Sequence, residues 1–130
     1  MNNIKQDNRI ELTKLIQEKS DHNFKYFKEL KKRYKIPIGI ILIESKNKLS
    51  LKNIIRLSDN YIDIKYNNKH YYICFILFAG MNELYTVVKK IENHYPDTFL
   101  YFEDLDEDLR KHIQNFTDTL FFDNEEDFLK

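Results

Sequence analysis

Apolar residues recur at helical spacing near the start of the chain. In residues 9–35 they stand three and four positions apart with charged residues between them, which predicts a helix. Ser20 or Asp21 could cap a second helix, so a break near His22 is left open. The helical segment must end before Pro37, because the residue before a proline is pushed out of helical geometry.

The middle of the chain changes to strand patterns. The segment Pro37–Glu44 is β-branched and apolar on both faces, which predicts a buried central strand. The segment Tyr61–Tyr66 alternates in the manner of a half-buried strand. Asn67-Asn68 is a turn signal, since asparagine tolerates left-handed backbone geometry, and Lys69–Phe78 is then the second strand of a hairpin.

Four more elements complete the prediction: one helix between the first two strands, and a helix, a strand and a helix after the hairpin. Helical spacing returns in Leu49–Leu57, with Ser50 as a plausible cap, and again in Met81–His94. Thr98–Phe102 is predicted to be a strand. Asp104–Phe122 is predicted to be the last helix, with acidic residues in its first turn, where the helix dipole favours them.

The predicted order of elements is a helix, then β-α-β-β-α-β, then a helix. This order predicts an α+β fold with a ferredoxin-like antiparallel sheet and helices on one face. A chain of 130 residues is expected to form one domain. Its parts are an N-terminal helical segment (1–35), a ferredoxin-like core (36–122) and an acidic tail (123–130).

The second strand of the hairpin is apolar on both faces. We therefore expect the sheet face away from the main helices to be covered as well, either by the N-terminal helix, which we favour, or by another molecule. One face of this strand carries Tyr72, Cys74, Ile76 and Phe78, and the other carries Tyr71, Ile73, Phe75 and Leu77.

Composition narrows the classes of function. Only Gly39 and Gly80 are present, which excludes a P-loop and a dinucleotide fingerprint, because each needs several glycines in one turn. The single cysteine, Cys74, excludes a disulfide framework and a multi-thiolate zinc site, and its apolar neighbours predict a buried, inert thiol. Equal numbers of basic and acidic residues, 21 of each, disfavour a globally basic nucleic-acid binder.

The overall charge balance hides an asymmetry. Residues 1–65 carry 15 Lys and Arg against 8 Asp and Glu, whereas residues 66–130 carry 6 against 13. This pattern predicts attraction between the two halves, within the fold or between copies, or else a solvated charged face at each end. The run Lys31–Lys35 could contact phosphate or an acidic partner, or could be the solvated end of a helix.

Several other classes of function are not expected. The histidines are far apart in the sequence, without metal-ligand spacing. An RNA-recognition module would carry glycines in its aromatic strand motif, and the motif here has none. The apolar runs are too short to cross a bilayer as helices, and a cytoplasmic location is expected. The four histidines are His22, His70, His94 and His112.

Segments along nearly the whole chain resemble one known family. Glu11–Leu15 is similar to a Leu-Thr-Gly-Leu opening signature, and Lys31–Glu44 to the helix end and first strand that follow it. Lys65–Phe75 lies where an Arg-Tyr-Gly-Gly-Asp-Glu-Phe hairpin would be, and Asn82–Glu92 and Asp106–Leu109 fit the later helices. In these segments the chain resembles the GGDEF family of diguanylate cyclases.

The departures from this family determine what the resemblance implies. The two glycines that let the backbone approach guanine are asparagines here, and the acidic pair is replaced by a lysine and a histidine. Glu44 is left as a weak candidate metal ligand, whereas two-metal phosphoryl transfer needs paired carboxylates. The resemblance therefore implies a degenerate, non-catalytic domain without a cofactor. The degenerate hairpin consists of Asn67, Asn68, Lys69, His70 and Tyr71.

One feature of the family is retained in this chain. Arg56 and Asp59 match the Arg-x-x-Asp motif with which such domains bind cyclic di-GMP, since arginine can grip guanine or phosphate and aspartate can accept from guanine N–H groups. The alternative is a surface arginine at a helix end, with Asp59 as a local turn or cap residue.

The sequence thus leads to two functional hypotheses. The first is a regulatory module that binds a protein partner or a second copy, through the aromatic sheet face or the oppositely charged ends. The second is a cyclic di-GMP receptor that uses Arg56 and Asp59. Neither a membrane nor a nucleic acid is an expected partner.

Overall fold

A computed structural model describes residues 2–56, 59–106 and 108–129, with side chains described in 8–56, 59–106 and 108–121. Leu57, Ser58 and Glu107, which belong to segments predicted above, lie outside the described residues. The elements are α1 (Asn2–Tyr34), β1 (Ile38–Ser45), a short 3-10 helix (Leu51–Asn53), β2 (Asn60–Tyr66), β3 (Lys69–Leu77), α2 (Met81–His94), β4 (Phe99–Asp104) and α3 (Leu109–Leu129).

The N-terminal segment is one continuous helix, without a break near His22. The two candidate caps are used inside the helix instead. The Ser20 hydroxyl donates to the Ile16 carbonyl one turn back, and the Asp21 carboxylate pairs with Lys25 at 3.0 Å. Short polar side chains in a helix interior commonly bond back in this way.

The four strands form one antiparallel sheet in the order β2-β3-β1-β4. β1 pairs with β3 on one side and with β4 on the other, so it is a central strand, as its apolar sequence predicts. Seven of its eight residues are buried. The α+β class is confirmed, with helices α1, α2 and α3 around the sheet.

The helix predicted over Leu49–Leu57 is wrong. The described residues of this segment form only the short 3-10 helix. Its expected cap, Ser50, makes no side-chain capping bond; its backbone N–H donates to the Tyr95 hydroxyl at 3.0 Å. The Leu49 N–H likewise donates to the Tyr72 hydroxyl at 2.8 Å. These tertiary bonds, with Leu49 and Leu51 buried, hold the segment in a loop.

The last helix also begins later than predicted, at Leu109 rather than Asp104. Asp104 ends β4, and the acidic residues precede the helix instead of forming its first turn. The Asp108 carboxylate accepts from the Arg110 N–H at 3.0 Å, which satisfies a free donor at the helix start. α3 then continues to Leu129, so the region predicted as an acidic tail is helical as far as that residue.

Helices cover both faces of the sheet, as the apolar character of both strand faces predicts. α1 and α3 cover one face, where the rings of Phe27 and Phe75 stack at 4.8 Å. α2 and the loop around the 3-10 helix cover the other. The N-terminal helix therefore covers the second face, as favoured above, with α3 beside it, so the chain's own helices occupy the sheet face at which a partner was expected.

An ion pair between α1 and α3 joins the basic half of the chain to the acidic half. Arg9 on α1 pairs with Asp118 on α3 at 2.5 Å, so the basic half of the chain contacts the acidic half where the two helices pack. Both side chains are about half exposed, and such a pair contributes little to stability.

Gly39 on β1 packs directly against the Leu84 side chain of α2. A Cβ atom at Gly39 would lie 2.5 Å from the Leu84 Cδ1 atom, and Leu84 is fully buried. We expect Gly39→Ala to lower the free energy of unfolding by about 1–3 kcal/mol through overpacking, as measured by urea denaturation.

A double-mutant cycle isolates the cause. When Leu84→Ala has removed the obstructing side chain, adding Gly39→Ala should cost nothing further or should recover stability. An equal loss from Gly39→Ala in both backgrounds would contradict the steric explanation.

Candidate functional site

The degenerate hairpin forms as predicted, with Asn67 and Asn68 at its turn. Their φ angles are 52° and 64°, and a two-residue hairpin turn with both central residues at positive φ is the type that matches strand twist. Asn67 and Asn68 therefore hold this turn, with a side chain at each of its two central positions.

Two residues of the degenerate hairpin, Lys69 and Tyr71, contact the candidate metal ligand Glu44 on β1. The Tyr71 hydroxyl donates to one oxygen of the Glu44 carboxylate at 2.8 Å, and the Lys69 ammonium lies 3.4 Å from the other oxygen. Burial, together with the bond to Glu44, raises the pKa of Tyr71, so its hydroxyl remains a donor. A cation at Glu44 would have to displace the Lys69 ammonium. Within the described residues no group of three His, Cys, Asp or Glu side chains is arranged to hold a metal ion.

Arg56 and Asp59 contact each other. The Asp59 side chain is 1% exposed and its carboxylate accepts from the Arg56 backbone N–H at 3.0 Å and from the Arg56 guanidinium at 3.2 Å. It also accepts from the Leu77 N–H at 2.9 Å, and the guanidinium donates to the Leu77 carbonyl. The pair thus fastens the loop before β2 to the end of β3.

Arg56 and Asp59 differ in their exposure to solvent. The Asp59 carboxylate already holds several donors and is closed to solvent, whereas the Arg56 side chain is 53% exposed. Arg56 borders a surface pocket of about 340 Å³ that also contains Lys52 and Tyr61. Only the arginine could therefore contact a ligand without rearrangement of the loop.

Cys74 and His112 are both fully buried. Burial raises the pKa of the Cys74 thiol, with a smaller contribution from the Asp59 charge, in agreement with an inert thiol. His112 accepts from the Asp106 N–H at its Nε2 atom, at 2.8 Å, and donates from Nδ1 to the Glu103 carboxylate. The sequence did not predict these hydrogen bonds of His112, because its partners lie in the strand and loop before α3.

The edge of the sheet at β4 is open along its outer side, where no described residue pairs with it. The Leu105 N–H bonds to the Ile38 carbonyl at 2.9 Å, which fixes the alternation of bonds along this strand pair. The N–H and carbonyl groups of Leu100 and Phe102 consequently point away from β1. All β4 residues before Asp104 are partly exposed.

An exposed apolar ridge on α2 lies beside this open edge. Met81 and Tyr85 are 48% and 52% exposed and stand one helical turn apart. The Tyr85 ring lies 6.4 Å from that of Phe102, with the Lys89 ammonium 5.2 Å from the Tyr85 ring. We call Met81, Tyr85, Leu100 and Phe102, with the outer backbone groups of β4, the edge surface.

No family model matches this chain, and neither a curated protein nor a solved structure matches it. Among the helices formed by the described part of the chain, none is long and apolar enough to cross a membrane.

The Arg56–Asp59 pair leads to a prediction about stability. Arg56→Ala leaves a buried carboxylate without its cation, and we expect it to lower the free energy of unfolding by about 1–3 kcal/mol. Arg33→Ala is the matched control, because Arg33 pairs with Glu29 at 3.5 Å on the exposed face of α1. The control should change stability by less than about 0.5 kcal/mol. Equal urea midpoints for the two variants would contradict the fastening role.

Proposed function

We propose that this chain is a non-catalytic protein-interaction module that self-associates, with the edge surfaces of two copies pairing through β4. The observation that carries the proposal is the apolar open edge. Proteins commonly protect edge strands with lysine, proline, bulges or a covering segment. The stretch Thr98–Phe102 has no charged residue and no proline.

Antiparallel pairing of the two β4 strands suits their sequence. With Tyr101 on the two-fold axis, the outward backbone groups of Leu100 lie opposite those of the second copy's Phe102. The acidic end of each strand, Glu103 and Asp104, then lies opposite the uncharged Thr98 end of the other. Parallel pairing would instead bring the like charges together. A second copy is therefore a better occupant than an arbitrary strand.

The degenerate hairpin supports the part of the proposal that excludes catalysis. Glu44 is bound by Lys69 and Tyr71, and the chain carries a lysine and a histidine where cyclases carry an acidic pair. A relationship to degenerate GGDEF domains is part of the proposal, supported by the segments that resemble them. The cytoplasmic location stays a prediction.

A ferredoxin-like origin of the fold is also part of the proposal. Its support is the sheet order, in which β1 lies between β3 and β4 and β2 lies outside β3, with α2 between β3 and β4. The loop at residues 46–56, with its short 3-10 helix, departs from that topology, which has a helix there.

Binding of cyclic di-GMP is the second candidate function, favoured by the exposed Arg56 guanidinium beside Tyr61 at a ligand-sized pocket. The engaged Asp59 carboxylate weighs against it. Calorimetric titration with cyclic di-GMP separates the candidates. A receptor gives saturable heat that Arg56→Ala abolishes and Arg33→Ala preserves, whereas no heat from the unaltered chain excludes this function.

Self-association gives a direct prediction. Analytical ultracentrifugation should show a dimer at micromolar concentrations of the chain. The double variant Met81→Lys/Tyr85→Lys adds charge at exposed positions on the edge surface, and we expect it to weaken association by at least roughly tenfold without loss of helical signal. Leu100→Pro should do the same, because it removes an outward donor while leaving the bonds to β1 in place.

The control for this experiment is Tyr26→Lys/Tyr34→Lys. These tyrosines are 58% and 61% exposed on α1, which packs on the sheet face opposite to α2, so their replacement should leave the dimer intact. A chain that stays monomeric at every accessible concentration, or a control that dissociates the dimer equally, would overturn the proposed interface.

A further inference from the structure

A second surface, at the far end of α1 from its contact with Asp118, has a different chemistry. A pocket of about 360 Å³ lies between the last turns of α1 and the loop from β4 to α3. We call it the lysine pocket; its described lining residues are Lys28, Lys31, Lys32, Lys35, Leu105 and Asp106. Its volume falls in the range of small-molecule sites.

The lysines of the pocket differ from the two cations beside them on α1, which pair with acidic residues of the same helix. These pairs are Lys25–Asp21 and Arg33–Glu29. Within the described residues, no ion pair or hydrogen bond holds the ammonium groups of Lys28, Lys32 or Lys35. Three cationic groups therefore border one cavity with their charges uncompensated.

Helix stability does not account for this grouping. Cations favour the last turn of a helix, which explains Lys31 and Lys32 at the end of α1. Lys28 lies one turn earlier, and the pair Lys28–Lys32 places like charges four residues apart on the helix, where they repel. Lys35 follows the helix end at Tyr34, with a positive φ of 54°. An arrangement that costs stability in the free chain is typical of a binding site.

The opposite wall of the lysine pocket is fixed in place. Lys31 donates to the Leu105 carbonyl, and His112 accepts from the Asp106 N–H at 2.8 Å while it donates to Glu103. The Asp106 carboxylate, the acidic group among the described lining residues, lies 3.3 Å from the Lys111 ammonium. Its charge is offset from outside the pocket, so the interior keeps a net positive field.

We propose that the lysine pocket binds a small anion that carries two or more phosphate groups. Lys28, Lys32 and Lys35 bind the phosphate oxygens, and Lys31 and His112 keep the loop in position. Several ammonium groups around one cavity suit a ligand with several charges, because lysine binds phosphate as a point charge and not through a planar fork. This site does not depend on the edge surface.

Isothermal titration with inorganic tripolyphosphate tests the proposal, with orthophosphate as the low-charge comparison. The test variant is Lys28→Gln/Lys32→Gln, which leaves Lys31 and its bond to Leu105 intact. The control is Lys14→Gln/Lys19→Gln, which removes the same charge from exposed positions nearer the start of α1. Circular dichroism shows whether each variant keeps its helices.

The expected result is saturable tripolyphosphate binding that is stronger than that of orthophosphate. It should weaken at least roughly tenfold in Lys28→Gln/Lys32→Gln and stay within about twofold in the control. Three results would overturn the proposal: no binding by the unaltered chain, equal weakening in both variants, and equal affinity for an oligoglutamate peptide of the same charge. The last result would assign the pocket to an acidic protein segment.

Discussion

The arrangement of this protein depends on a central strand that is apolar on both faces. In β1, Ile40 and Leu42 point to one side of the sheet, and Ile41 and Ile43 point to the other; all four are fully buried. A strand of this kind requires a covering layer on each side of the sheet, because exposing either face would leave several large side chains in water. The chain supplies one layer with α1 and α3 and the other with α2 and the loop before β2.

This double cover also decides which surfaces remain for function. Both sheet faces are occupied, so the aromatic residues of β3, which resemble a binding platform in the sequence, serve as core. The order β2-β3-β1-β4 leaves β4 at an edge, and α2 places Met81 and Tyr85 beside it. At the same time, α1 carries its lysines to the loop that follows β4. The edge surface and the lysine pocket both follow from where the helices pack.

Short motifs in this chain have a local structural use that the sequence does not distinguish from a ligand site. Arg56 and Asp59 have the residue types that grip a guanine base, and the same groups satisfy backbone donors and acceptors of a loop and a strand end. The geometry corresponds closely to the alternative in which Asp59 serves as a turn residue. The Asp59 side chain is 1% exposed and its carboxylate already accepts several hydrogen bonds, whereas a ligand-binding carboxylate has to be accessible to its ligand.

The sequence by itself determined the elements with strong periodicity: the helical character of the N-terminal segment, the buried strand, the Asn67-Asn68 hairpin and α2, whose bounds match the prediction. That the N-terminal segment is a single helix was left open by the sequence and decided by the structure. These depend on local spacing and turn chemistry. Only the tertiary structure decided the loop at Leu49, the start of α3 and the partners of His112, since hydroxyls, carbonyls and carboxylates distant in sequence fix them. Of the lysine pocket, the sequence indicated only the wall that contains the run Lys31–Lys35. Its second wall comes from residues about 70 positions away, and local patterns carry no information about such contacts.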